Sequence, residues 1–345
     1  MATSWKKPLL LFSALAIVGA GIAWQRWPLE REPPPPPKAE PAPAPTTIDD
    51  PLRPDRAAEL SSRAPIGENW VKSAPQKEFQ YSKKSGERGV EPCAAPSPEA
   101  AKRTLPLSRG YLFLGNDDPA SAGDQFDLVF HLNGEGPVRR ELVESKQPFV
   151  LYTLTLPPTE SYAPLFAGSR LLAHLIDEIS AQVSRSRQKP ARLRHLALSA
   201  WSAGFEGVRS ILYQPEADRV DAVLLIDGLH GPRGGKGLGT QLASFVDFAK
   251  RAERGERWFS VTHSSIPTSE FTSTTESAHF LENELGGKPT RVARDDGFGL
   301  ELVEMFDKGN LHVRGYAGND KADHCAQLLL MRELFVALHR YFERR

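Results

Sequence analysis

The sequence lacks any excess of charge: 43 Lys and Arg are balanced by 43 Asp and Glu over 345 residues. With no basic block either, nothing in it offers the electrostatic footprint that nucleic acid requires. Cysteine is nearly absent, with two in the whole chain, Cys93 and Cys325. Neither follows the apolar run near the N-terminus, which excludes a bacterial lipoprotein anchor. No internal repeat is present. The glycine-rich stretch "GPRGGKGLG" (231–239) is not a phosphate-binding loop, because Gly237 follows Lys236 where Ser or Thr is needed. It reads as a flexible loop. Asp227, His230, His263 and His324 sit at no recognised ligand spacing such as His-x-x-x-His, so no metal is implied. They are nevertheless residue types that could ligate one.

What is there begins with Lys6 and Lys7, followed by 17 uncharged residues from Pro8 to Trp24, then Arg26 and Trp27. That length lies between a signal-peptide core and a membrane span. Residues 1–27 therefore read either as a signal peptide, with small residues at Ala20 and Ala23 for cleavage, or as an uncleaved anchor with Trp24 and Trp27 at the interface. Both place the remainder outside the cytoplasm. In an oxidising compartment the two cysteines are expected to form one bridge. Residues 28–105 follow as a linker, proline-dominated as far as Pro54 and then polar without periodicity. A proline tract of this kind is extended, at about 3.1 Å per residue, and buries no core.

From 106 to 345 the pattern changes. Apolar runs at 110–115, 126–136, 149–156, 194–200, 221–228 and 257–265 read as strands, with one or two more at 300–318. Between them lie helical patterns. One runs through 169–183, with Leu172, Leu175, Ile176, Ile179 and Val183 on one face. Another, 274–286, opens with a capping box of Ser273 and Glu276. Others cover 203–214, 242–255 and the C-terminus. Near-continuously apolar strands alternating with helices predict an α/β fold, with a mostly parallel central sheet and helices on both faces.

In such sheets, ligands gather at the carboxyl ends of the strands. The run "RHLALSAWSAGFEGVRSIL" (194–212) passes there from strand to helix through Ala200-Trp201-Ser202-Ala203-Gly204. This turn resembles the nucleophile elbow of the α/β-hydrolase fold, with Ala in place of the usual first Gly. The resemblance extends over about residues 108–345 and implies a serine esterase or lipase-like enzyme. Ser202 would be the nucleophile and His324, just before the last helix, its base. Asp227 at the end of its strand would orient that base, with Glu270 the alternative acid. Glu276 is set aside as the capping acid. The backbone N–H of Ala203, with a donor near Gly134, would form the oxyanion hole. The stretch Gly134 to Gly136 reads equally as a plain turn. Trp201 would face the acyl pocket or pack on the sheet. Residues 157–168 and 264–275 would wall the pocket, and His230 and His263 would line it or be structural. A Cys93–Cys325 bridge would staple the lead-in beside the histidine loop. The implied substrate is a small-molecule or lipid ester, no cofactor is called for, and acyl transfer would use the same groups. The competing expectation is a catalytically silent binding or scaffolding domain of the same fold.

Overall fold

The computed structural model describes residues 104–115, 123–233, 235–318 and 320–345. The expected signal or anchor (1–27) and nearly all of the expected linker (28–105) lie outside these residues, as does Cys93. Only the linker's last two residues fall inside, and they belong to strand β1.

Among the described residues twelve strands run in chain order: β1 Thr104–Pro106, β2 Tyr111–Phe113, β3 Gln125–Leu132, β4 Val150–Leu154, β5 Arg192–Trp201, β6 Val220–Ile226, β7 Gly231–Pro232, β8 Trp258–Ser264, β9 Phe271–Thr272, β10 Thr290–Asp295, β11 Glu301–Lys308 and β12 Leu311–Tyr316. Ten form one sheet in the order β1-β2-β4-β3-β5-β6-β8-β12-β11-β10, while β7 and β9 pair separately. The centre, from β4 through β12, is parallel. Both margins are antiparallel.

Alternation along the central strands sends side chains to two separate cores. Leu128, Phe130 and Leu132 of β3 join one cluster, with Leu196 and Leu198 of β5. Val129 and Ala197, on the opposite parity, join the other. The first core is closed by helices α3 Ser169–Arg187, α4 Phe205–Leu212, α5 Gly235–Glu253 and α6 Thr274–Glu284. The second is closed by α1 Glu135–Ser145 and α8 Met331–Phe342. Two shorter helices are α2 Tyr162–Leu165 and α7 Lys321–Ala326. The five apolar positions expected on α3 are all buried, each contributing roughly 1.5–3 kcal/mol relative to exposure. The capping box opens α6 as expected. Ser273 Oγ accepts from the Glu276 N–H, and Glu276 Oε2 accepts from the Ser273 N–H at 2.7 Å.

Several expectations need correction. The stretch 231–239 is not a loop throughout: β7 takes its first two residues and α5 starts at Gly235. Glycine in a helix costs up to about 1 kcal/mol against alanine. Burial of Leu238, Leu242, Phe245, Val246 and Ala249 on one face outweighs that cost. The run 126–136 is not one strand. It ends at Leu132, passes through left-handed Asn133 (φ 71°) and Gly134 (φ 80°), and enters α1 at Glu135. Pro137 conceals this helix in the sequence, but it lies in the first turn, where its missing N–H has no intrahelical partner to lose. Strand β10 was not anticipated, because its residues are almost all exposed and carry no apolar period. The closing helix opens as a 3-10 turn, Gln327–Leu330, before α8, and an unexpected short helix, α7, precedes it and carries His324.

Candidate active site

Strands β5 and β6 are neighbours in register, with Trp201 opposite Ile226. Ser202 and Asp227 therefore leave the sheet side by side. Both adopt the left-handed conformation that glycine ordinarily takes, with φ of 52° and 42°, a strain of order 1–3 kcal/mol per residue. Close packing enforces the turn at Ser202. A Cβ on Gly204 would lie 2.2 Å from the Leu132 carbonyl oxygen of β3, so only glycine lets the start of α4 approach that strand. Ser202–Gly204 form a single 3-10 turn leading into α4. The Ala203 N–H lies in its first turn, where amides have no partner within the helix.

Asp227 is buried and its carboxylate is fully engaged. Oδ1 accepts from the Ser264 N–H at 2.9 Å and from Thr274 Oγ1 at 2.6 Å, and Oδ2 accepts from Ser264 Oγ at 2.7 Å. Oδ2 also accepts from His324 Nδ1 at 2.7 Å. Burial alone would raise the carboxyl, but the hydrogen bond and charge of His324, with the two hydroxyls, hold it below the ordinary carboxylate value. With Nδ1–H committed to Asp227, neutral His324 keeps its Nε2 lone pair as a proton acceptor. His324 is carried on α7, whose N-cap Asp320 accepts from the Asp323 N–H at 2.9 Å.

Ser202, Asp227 and His324 line one cleft of about 410 Å³. Its other walls are His230, Ser264, Ile266, Thr268, Phe271 and Thr274, with Asp320 and Lys321 also lining it. The stretch 264–275 walls the cleft as expected, whereas 157–168 contributes no lining residue. Glu270, the alternative acid, is exposed in the segment between β8 and β9 and does not line the cleft. Asp227 holds the position facing His324.

The loop after β3 is built by residues whose roles the sequence did not disclose. His131 Nε2 donates to the Asn133 carbonyl, and its Nδ1 accepts from Ser199 Oγ at 2.9 Å. Complete burial pushes His131 down to about 4, so it stays neutral and holds this one tautomer. Asn133 Nδ2 donates to the Trp201 carbonyl at 3.1 Å, tying this loop to the elbow. Gly134 abuts Trp201: a Cβ there would lie 3.1 Å from the indole Cε3. The Asn-Gly dipeptide after an apolar run was the available signal for the left-handed pair.

Trp201 does not line the cleft, contrary to the acyl-pocket reading. It stacks on His324, with ring centroids 4.6 Å apart and planes 29° from parallel, and its Nε1–H donates to the His324 carbonyl at 3.2 Å. His230 lines the cleft and bonds the Thr272 carbonyl through Nδ1 at 3.2 Å. His263 does not line it. That ring is buried beneath, on Thr275 Oγ1 at 2.9 Å and 3.3 Å from Glu304. Among the described residues no group of three or more His, Cys, Asp or Glu could hold a metal ion. Cys325 is buried beside His324 and disulfide-bonded.

No family model matches this sequence, and no curated protein matches it. A solved structure of a thermostable esterase is similar to it, at 16% identity over 68% of this chain, with a TM-score of 0.39. The chain spans 58% of that structure's length.

Proposed function

We propose that this chain is a serine hydrolase of the α/β-hydrolase type, cleaving carboxylic esters through an acyl-enzyme on Ser202. The observation that carries the reading is the Asp227–His324 hydrogen bond of 2.7 Å in the cleft that Ser202 lines at its strained turn. The chain order of serine, acid and histidine and the strand order of the sheet agree with that class. His324 Nε2 takes the proton of Ser202 Oγ as the oxygen attacks the ester carbonyl. The carbonyl oxygen gains the negative charge and is met by the Ala203 N–H and a donor from the Asn133–Gly134 loop. One such donor is worth about 10²–10³ in kcat. Collapse expels the alcohol, which carries away the proton from His324. Water then repeats the sequence on the acyl-enzyme and releases the acid, while Asp227 stabilises the imidazolium in both halves. Another acceptor in place of water would give acyl transfer.

The same reading puts the domain outside the cytoplasm, either tethered or released by way of residues 1–27. A disulfide at Cys325 suits an oxidising compartment. The test of the reaction is covalent labelling by a fluorophosphonate. Wild type should label, and Ser202→Ala and His324→Ala should not. A well-folded wild type that stays unlabelled would overturn the hydrolase assignment in favour of a binding domain.

A further inference from the structure

We infer that Trp201 is a positioning residue that clamps His324 and stabilises its protonated form, an inference that rests on the hydrolase reading above. Three independent contacts meet at this one side chain. Its indole face stacks on the His324 imidazole, with centroids 4.6 Å apart. Its Nε1–H reaches the His324 backbone carbonyl at 3.2 Å, so the ring grips both ends of that residue. Its outer edge is backed by Gly134, where a Cβ would lie 3.1 Å from Cε3 and 3.4 Å from the nearer methyl carbon of Leu328. A side chain at 134 would crowd both the indole and Leu328. In sequence, Trp201 immediately precedes Ser202. One residue thus joins the nucleophile's strand, the oxyanion loop and the base.

The chemistry of the stack is directional. A neutral imidazole gains only packing from an indole face, whereas an imidazolium is also attracted by the negative face of the ring. His324 is neutral when Ser202 waits for substrate and cationic once the tetrahedral species has formed. The stack therefore favours the later state over the earlier one, which is the condition for lowering a barrier rather than merely tightening the resting site. The other titratable or charged groups around His324 are Asp227 on Nδ1, His230 from the segment after β6, and Asp320, Lys321 and Asp323 on its own turn. Asp320 caps the Asp323 N–H, and Asp323 packs against Gly318. Trp201 is the uncharged partner, so its removal leaves that charge pattern unchanged.

The test uses the full chain and three substitutions: Trp201→Phe, Trp201→Leu and His324→Gln. Phenylalanine keeps an aromatic face and loses the N–H, and leucine loses both. Trp201→Leu is expected to lower kcat/KM about five- to thirtyfold and to move the acid limb of its pH profile down by about one unit. The shift is downward because a less stabilised imidazolium gives up its proton at lower pH. Trp201→Phe should return the limb most of the way. A protonated imidazole in contact quenches indole emission. The fluorescence difference between wild type and Trp201→Phe should therefore fall on acidification, and the fall should vanish when His324→Gln is introduced into both. Limbs that coincide in all Trp201 variants, or quenching that survives without His324, would overturn the clamp. Failure of Ser202 to label with fluorophosphonate would overturn the hydrolase reading instead, leaving the fluorescence titration still able to decide the stack.

Discussion

Gly228 lies against the backbone of Ser202. A Cβ at 228 would stand 2.5 Å from the Ser202 carbonyl oxygen and 2.9 Å from its nitrogen. The residue after the acid therefore has to be glycine for the residue that attacks to keep its turn. Backbone, unlike the end of a long side chain, has no rotamer by which to retreat. Gly228→Ala is expected to cost about 1–3 kcal/mol of stability through overpacking and to lower the rate of Ser202 labelling by more than about tenfold, because the attack geometry is displaced. Thermal melting and labelling kinetics on the same preparation check both. Normal labelling in a destabilised variant would mean that Ser202 holds its turn without this contact.

Asp227→Asn isolates the orientation of His324. The amide keeps the shape of the carboxylate but loses its charge, and an NH₂ on the side of Oδ2 would face the Nδ1–H and favour the wrong tautomer. Loss of about 10⁴ in kcat is expected by analogy with the same change in other serine triads, checked with an activated ester. Glu270→Gln should leave kcat within about twofold, because the site is exposed and away from the chemistry. The reverse pattern would transfer the acid's role to Glu270.

The disulfide at Cys325 sits one residue from His324, in the segment that presents the base. Cys325→Ser, or reduction under mild conditions, should lower stability by about 2–4 kcal/mol and slow labelling of Ser202 before global unfolding begins. Peptide mapping without reductant should recover Cys325 joined to Cys93, the other cysteine of the sequence. A change in melting temperature with no change in labelling would confine the bridge to a structural role.

Much of this arrangement was legible in the residues, for a physical reason. Buried strands and amphipathic helices are written in local periodicity, and Ser202, Asp227 and His324 could be placed because they stand where such elements end. The features that escaped depend on partners far along the chain. Trp201 reads as a pocket or a sheet-packing residue until α7, 123 positions away, brings His324 under its ring. The start of α5 reads as loop because glycine dominates it, and its helix forms only because Leu238 and its neighbours have a core to fill. Strand β10 has no apolar face, and its existence rests on pairing with β11. Asn133 fell inside an apolar run, and the left-handed break there was outweighed by the hydrophobic residues before it.

Four buried groups give the fold an acid and an alkaline flank. Burial pushes His131 and His263 down from 6.5 to about 4, so in the folded state each resists a proton that the unfolded chain accepts. Between those values the unfolded state binds more protons, and stability must fall as pH drops from 6.5 toward 4. Asp227, held below its ordinary value, adds to that loss only further down, as pH falls through its folded value. Glu282 works in the opposite sense. Burial raises it from 4.5 to about 8, so its contribution is complete below 4.5 and is lost as pH rises through 8. Its two carboxyl oxygens have no hydrogen-bond partner, so an uncharged replacement should fit at little cost. Glu282→Gln is therefore expected to flatten the alkaline flank, gaining on the order of a few kcal/mol at pH 9 relative to pH 5. The acid flank should stay as it is. Urea melts across that range check it. An unchanged alkaline flank in the variant would mean that Glu282 is already ionised in the folded protein at neutral pH, with the neighbouring His279 as its counter-charge.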